Sequence, residues 1–209
     1  MPSSTPRGRR TQAQRTAETR QALIEGTIEV IHRAGYAAAS TELIAEQAGN
    51  TRGAILHHFG TRATLMAEVM RHVFEQEEAE YGRLARELRL GRRVADWVEL
   101  AWRVLSKPSG YAVLEILLAS RADPELAARV APMQAAIEQT ALKDLMGWFD
   151  EDEETALDRM RLLHWSIRGL SMARMLAARP EEIDRAVAML RRWLQTAEEA
   201  GVPLGAPAR

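Results

Sequence analysis

Apolar residues recur at every third or fourth position along almost the whole of this chain, and that rhythm admits one class of structure. Ile24, Ile28 and Ile31 form one stripe, widened by Leu23, Thr27, Val30 and Ala34. Leu65, Val69 and Val73 form a second, and Ile183, Val187, Leu190 and Leu194 a third at near-ideal spacing. Residues three and four apart share one face of an α-helix, whereas a strand would alternate them. Most of the chain lacks β-branched runs, and only 8 prolines and 13 glycines interrupt its 209 residues. The reading is an all-α protein of about nine helices. They are expected at about 11–34, a short segment around Ile44, 52–58, 62–88, 92–106, 109–121, 124–149, 153–178 and 181–199.

The punctuation agrees with the periodicity. Gly35 closes the first helix as a left-handed cap, and Ser40 or Thr41 caps the next. Gly49-Asn50 breaks that short helix, both residues tolerating positive φ. Thr51 can then cap a third helix. Pro124 and Pro180 stand at first helical positions, and Pro132 inside 124–149 predicts a kink or break. Residues 1–10, MPSSTPRGRR, read as a disordered basic arm, and 201–209 as a flexible tail.

Composition removes several function classes. There is no cysteine, which excludes disulfides, thiolate metal sites and cysteine nucleophiles. The polar, Arg-rich start does not resemble a signal peptide. The most apolar stretch, YAVLEILLA, is broken by Glu115, so no membrane span is expected. Together these fit a cytoplasmic protein. Charge is unevenly spread. Residues 1–65 hold eight arginines against five glutamates, a net +3, and the remaining 20 basic and 24 acidic residues leave −4. A basic amino-terminal third on an acidic body suits a nucleic-acid-binding head, although a merely solvated arm would look the same.

Two short helices joined by a glycine-containing turn suit a helix-turn-helix, whose second helix enters the major groove. That helix carries small residues, Gly53 and Ala54, near its start, which allow close backbone approach. Arg52 can reach a guanine or a phosphate. Ser40, Thr41 and Thr51 place hydroxyls and amides at helix starts, where phosphate oxygens are favoured. Ile55 and Phe59, four apart, face inward.

The segment GYAAASTELIAEQAGNTRGAILHHFGTRATLMAEVM resembles the DNA-binding head of the TetR family of transcriptional regulators. The likeness spans roughly residues 17–70. It runs through Gly35-Tyr36, Ser40-Thr41, Ile44-Ala45, Ala48-Gly49, Gly53, His58-Phe59, Thr61-Arg62 and Leu65. It implies a three-helix head over 11–62, a helical ligand-binding and dimerisation body over 63–200, and a homodimer on a palindromic operator. The DNA-binding set is then Ser40, Thr41, Thr51, Arg52, Gly53, Ala54, His57, His58 and Arg62. Two positions depart from the family pattern. Arg62 stands where lysine is common and keeps the charge. Leu56 stands where a tyrosine commonly contacts a phosphate, and leucine donates no hydrogen bond; His57 is the residue placed to compensate.

The adjacent histidines raise a metal reading that their spacing opposes. Neighbours on a helix point about 100° apart, and a zinc helix needs histidines at i and i+4 with an intervening glutamate. His32, His72 and His164 are single, and Asp150–Glu154 reads as a solvated helix start. No Gly-rich phosphate loop, nucleophile elbow or acid–base motif appears, so neither an enzyme nor a cofactor is expected.

In the body, Met160, Leu163, Ile167, Leu170 and Arg174 share a stripe on 153–178. Helix 181–199 has two: Ile183, Val187, Leu190 and Leu194, with Ala186, Met189, Trp193 and Ala197 beside them. So wide an apolar arc touches more than one neighbour. A buried intrachain helix is one reading. The family likeness makes the last two helices a four-helix dimer interface through Met160, Ile167, Ile183, Val187, Leu190 and Leu194. A pocket among the middle helices would draw on Trp97, Trp102, Tyr111, Met133, Met146, Trp148 and His164, large side chains that suit a small apolar effector. The expected function is a ligand-responsive, homodimeric DNA-binding regulator, a repressor released by its effector. The alternative is a helical dimeric interaction module without DNA binding, for which Leu56 and the weakly basic head leave room. A steep fall of DNA affinity with salt separates the two.

Overall fold

The computed structural model describes residues 11–88, 93–149 and 153–202, with the side chains of Leu142 and of residues 144–149 outside that description. The basic arm 1–10, most of the acidic run at 150–154 and most of the tail fall outside it too. Among the described residues there are nine helices and no strand. They are α1 (Gln12–Ala34), α2 (Thr41–Gln47), α3 (Arg52–Phe59), α4 (Arg62–Glu87), α5 (Val94–Leu105), α6 (Pro108–Ser120), α7 (Pro124–Phe149), α8 (Glu153–Leu176) and α9 (Pro180–Glu199). No helix among them is long and apolar enough to cross a membrane.

Side-chain caps set the starts of the first four helices. The hydroxyls of Thr11, Ser40, Thr51 and Thr61 each accept from a backbone N–H three residues on. Each such cap contributes about 1 kcal/mol. Pro132 is expected to kink or break its helix, and of these the break does not occur, since α7 runs through it. Proline removes one N–H, and here the carbonyl it would have paired belongs to Ala128, which is solvent-exposed like Pro132 itself.

The largest core cluster joins Leu23, Ile24 and Ile31 of α1, Ile44 of α2, Ile55 and Phe59 of α3 and Leu65, Met66 and Met70 of α4. It continues without a break into Ala112, Val113 and Ile116 of α6 and Leu126 and Val130 of α7. Gly26 lets α2 approach α1 closely: a Cβ there would lie 3.0 Å from the Ala48 Cβ and 3.2 Å from its backbone nitrogen. A second cluster, led by Val98, Leu105, Leu163, Ile167 and Val187, binds α5, α8 and α9 together.

This second cluster takes up part of the stripe expected at the dimer interface. Ile167 is fully buried and Met160 and Val187 nearly so, while Leu190 and Leu194 pack partly buried against the cluster. Ile183 is half-buried. That stripe serves the chain's own interior. The outward apolar residues are Leu162, Trp165, Met175 and Leu176 on α8 and Met189 and Trp193 on α9. Two apolar stripes lie side by side on α9, and periodicity alone does not say which one the rest of the chain covers.

Candidate nucleic-acid interface

The turn before α3 is built by local chemistry. Gly49 adopts φ +62°, and a Cβ there would meet nothing, so the backbone angle rather than space calls for glycine. Asn50 donates its side-chain N–H to the Ala48 carbonyl at 2.8 Å and its backbone N–H to the Ala45 carbonyl at 2.8 Å. Thr51 Oγ1 then accepts from Ala54 N at 3.2 Å and starts α3. Ile55 and Phe59 anchor the helix from its buried side. The Arg20 guanidinium covers the Phe59 ring at 5.3 Å.

Thr51, Arg52, Gly53, Leu56 and His57 are left exposed on the outer side of α3. A Cβ on Gly53 would meet only Thr51 Oγ1, at 3.6 Å, so no neighbour within the chain requires glycine there. Glycine inside a helix costs about 1 kcal/mol relative to alanine. Ser40 Oγ and Thr51 Oγ1 spend an acceptor lone pair on capping and keep a hydroxyl hydrogen to donate. Thr41 Oγ1 donates to Glu42 Oε2 at 3.2 Å. Glu42 in turn pairs with Arg52 at 3.1 Å, both well exposed. Its carboxyl is held below the usual range, first by its own backbone N–H, then by Thr41 and Arg52.

The histidines differ. His57 is exposed and His58 is half-buried. Partial burial lowers the His58 pKa, with His57 and Arg20 adding to the effect, which favours the neutral ring. Their rings meet edge to face at 5.0 Å rather than converging.

Arg62, expected to contact DNA, makes its bonds within the chain. Its Nε donates to the Ala39 carbonyl at 3.0 Å, Nη1 to the Tyr36 hydroxyl at 2.8 Å and Nη2 to the Tyr36 carbonyl at 2.8 Å. The guanidinium also stacks over the Tyr36 ring at 4.1 Å. The fork is turned inward and ties the start of α4 to the end of α1. Glu115, read from sequence only as an interruption of an apolar run, accepts from the Tyr36 N–H at the same joint. Thr61 donates to Glu125 on α7 at 2.9 Å, and His32 stacks on Tyr111 of α6 at 5.5 Å. Neither Glu115 nor Glu125 carried a signal in the sequence, because each finds its partner more than 60 residues away.

The residues expected to line a pocket are dispersed. Trp102 packs against the α5–α8–α9 cluster and borders a groove of about 390 Å³ with Glu99, Asp184, Arg191 and Arg192. Tyr111 is buried against His32, and Met133 leans on the main core. Trp97 joins the second cluster. His164 sits inside the body, its pKa pushed down to about 4 by burial and then by Arg168. The side chains of Met146 and Trp148 lie outside the described residues.

Residues 23–69 match the model of the bacterial regulatory proteins of the tetR family. An HTH-type transcriptional regulator of Mycobacterium tuberculosis is 29% identical over 185 residues, 87% of this chain and 95% of its own length. The regulator CymR of Pseudomonas putida is 38% identical over 79 residues, 37% of this chain and 39% of its own. Among solved structures, a Rhodococcus transcriptional regulator aligns with TM-score 0.64 at 17% identity, over 91% of this chain and 99% of its own. The multidrug binding protein EbrR, solved with imidazole, aligns with TM-score 0.61 at 22% identity, over 98% and 100%. The tetR family and the relatives from Mycobacterium tuberculosis, Pseudomonas putida and Rhodococcus are transcriptional regulators rather than enzymes. Residues 23–69 are a helix-turn-helix domain of the bacterial tetR family, and the chain as a whole is similar to HTH-type transcriptional regulators.

Proposed function

We propose that this protein is a homodimeric repressor that binds a palindromic operator and leaves it when a small molecule binds among α4–α9. The observation that carries the DNA half is Gly53. It is an exposed helical glycine with no intramolecular neighbour to accommodate, on a face bounded by Thr51, Arg52 and His57. An external surface that must come close would account for the missing side chain, and the major-groove edge of DNA is such a surface. Ser40, Thr41, Thr51 and His57 stand where phosphate oxygens would pass, and Ala54 and His58 flank them more deeply. Arg62 acts by holding α4 to α1.

The dimer forms through the outward stripes of α8 and α9. Leu162, Trp165 and Leu176 follow the spacing of a helix–helix seam, and Met189 and Trp193 continue it on α9. Exposed apolar residues in such a run mark an interface. Two copies related by a two-fold axis present two α3 helices to half-sites about 34 Å apart. Effector binding shifts the population toward a conformer whose half-site spacing no longer fits, with α4 as the lever.

Selection of bound DNA from a random pool tests the reading. An inverted repeat should emerge, and a pool with no palindrome overturns it. Sedimentation of the Trp193→Glu, Leu162→Glu double variant should show a monomer with full helicity. Retention of the dimer would move the interface elsewhere.

A further inference from the structure

The interior of the body is not uniformly apolar. Glu77, three turns beyond Leu65 on α4, is only 8% exposed, and its Oε1 is buried with no hydrogen-bond partner. Tyr81 lies one turn further on, packed beside Leu84, Leu100 and Val104. Across from them, α8 contributes His164 and Arg168, the latter 3% exposed. Helices α4 and α8 both pack on α5, α6 and α7 and not closely on each other, and the Arg168 charge is felt by both Glu77 and Tyr81.

A buried carboxylate beside a buried guanidinium would ordinarily close into an ion pair, and here it does not. Arg168 donates Nη1 to the Gly110 carbonyl at 2.8 Å and directs Nε at His164 Nε2. Arg168 reaches Glu77 only through its field. The other charged neighbours, Glu80 and Lys107, are bonded to each other. Glu77 is thus an internal acceptor for which the chain supplies no donor, and buried acceptors are normally satisfied.

We infer that the Glu77 carboxyl anchors a small organic cation, an amidinium or protonated amine on an aromatic or apolar frame, in the space between α4 and α8. This rests on the reading of α4–α9 as the effector-binding part of a regulator, and it replaces the purely apolar effector expected from the sequence. The cation brings the donors that Oε1 lacks, and charge-assisted bonds of this kind are the strong ones. Tyr81, Leu84, Leu100 and Val104 supply apolar wall for the frame. An anion would find Arg168 already engaged through Nε and Nη1. Burial raises the Glu77 pKa to about 7, so a bound cation expels a proton and its affinity climbs with pH. Glu77 belongs to the same helix as Arg62, so a ligand that draws on it acts on the rod that joins head to body.

Three molecules of one shape decide the matter: benzamidine, benzamide and benzoate, titrated calorimetrically into the full chain without DNA at pH 6 and pH 8. Benzamidine should bind, about tenfold more tightly at the higher pH, and benzamide and benzoate should not. Glu77→Gln should weaken benzamidine at least about tenfold and abolish the pH dependence, with Glu77→Asp restoring part of both. Circular dichroism reports whether each variant is folded. The inference is overturned by benzoate binding better than benzamidine, by equal affinity in Glu77→Gln, or by no heat with benzamidine up to about 10 mM. DNA is absent from the assay, so its failure leaves operator selection untouched, and an operator without a palindrome leaves the titration untouched.

Discussion

The core of the first four helices and the polar part of the body interior around Glu77 are built on opposite plans. Around α1–α4 the largest fully buried side chains are Leu23, Ile24, Ile31, Ile44, Leu65, Met66 and Met70, joined by the self-satisfied hydroxyl of Thr27. Between α4 and α8 lie Glu77, Tyr81, His164 and Arg168, with a carboxylate oxygen left unmatched. Close packing of apolar groups gives one rigid arrangement, as a reader of fixed DNA geometry requires. Unmatched buried polarity keeps stability in reserve for whatever completes it. The contrast runs along a single helix, since α4 carries Leu65 at one end and Glu77 nearer the other.

The largest expected effect falls on the apolar plan. Leu65→Ala should lower unfolding stability by about 3–4 kcal/mol in chemical denaturation, because the site is fully buried and enclosed on all sides. A loss below about 1 kcal/mol would mean that the head core collapses around the gap and is not the rigid element of the pair.

Glu77 should behave in the opposite sense. Its folded pKa of about 7 lies above the ordinary value, so the folded protein keeps a proton that the unfolded chain has released. That contribution is complete below the ordinary glutamate pKa and vanishes as pH rises through the folded one. Relative to Glu77→Gln, the wild type should therefore lose about 3 kcal/mol of stability between mildly acidic pH and pH 8. His164, neutral in the fold down to about pH 4, contributes above the ordinary histidine pKa and loses that contribution on acidification; present in both proteins, it cancels. Parallel pH curves for the two would show that Glu77 is solvated after all.

Smaller effects belong to the exposed face of α3. Leu56→Tyr should tighten operator binding by about 1 kcal/mol by supplying a hydroxyl to a phosphate, equally across operator sequences. Glu42→Gln should release Arg52 from its surface ion pair and strengthen binding by less than Leu56→Tyr does, with a steeper salt dependence. Measured affinities over a salt series read both, and a weaker Glu42→Gln would mean that the pair aims Arg52 rather than restraining it.

Much of this architecture is legible from the chain alone, because it is fixed by neighbours in sequence. The hydroxyl caps at Ser40, Thr51 and Thr61, the positive φ at Gly49 and the inward Ile55 and Phe59 all depend on residues within four positions. The start of α9 at Pro180 follows from proline's fixed φ. What stayed hidden depends on distance. The inward turn of Arg62 needs Tyr36 and Ala39 brought beneath it. Glu77 reads as one more acid in a Glu-rich helix until the fold buries it. On α9, two stripes of similar composition compete for the interior, and only α5 and α8 decide that Val187 enters while Trp193 does not. Gly26 carries a weak signal, a lone glycine in a helical run, whose meaning is the Ala48 backbone pressed against it.

The core that begins at Leu23 and ends at Val130 bears on how such proteins can be recombined. A boundary drawn at Arg62 cuts no linker; it cuts through a shared interior in which Ala112, Val113 and Ile116 of α6 fill space left by α1 and α4. A chimera that grafts α1–α3 onto another regulator's body inherits a recognition surface but loses the side chains that complete its packing. If α3 reads DNA as proposed, its outward positions can change one at a time without disturbing the interior. Whole-head exchange would have to carry the inner face of α6 along with it.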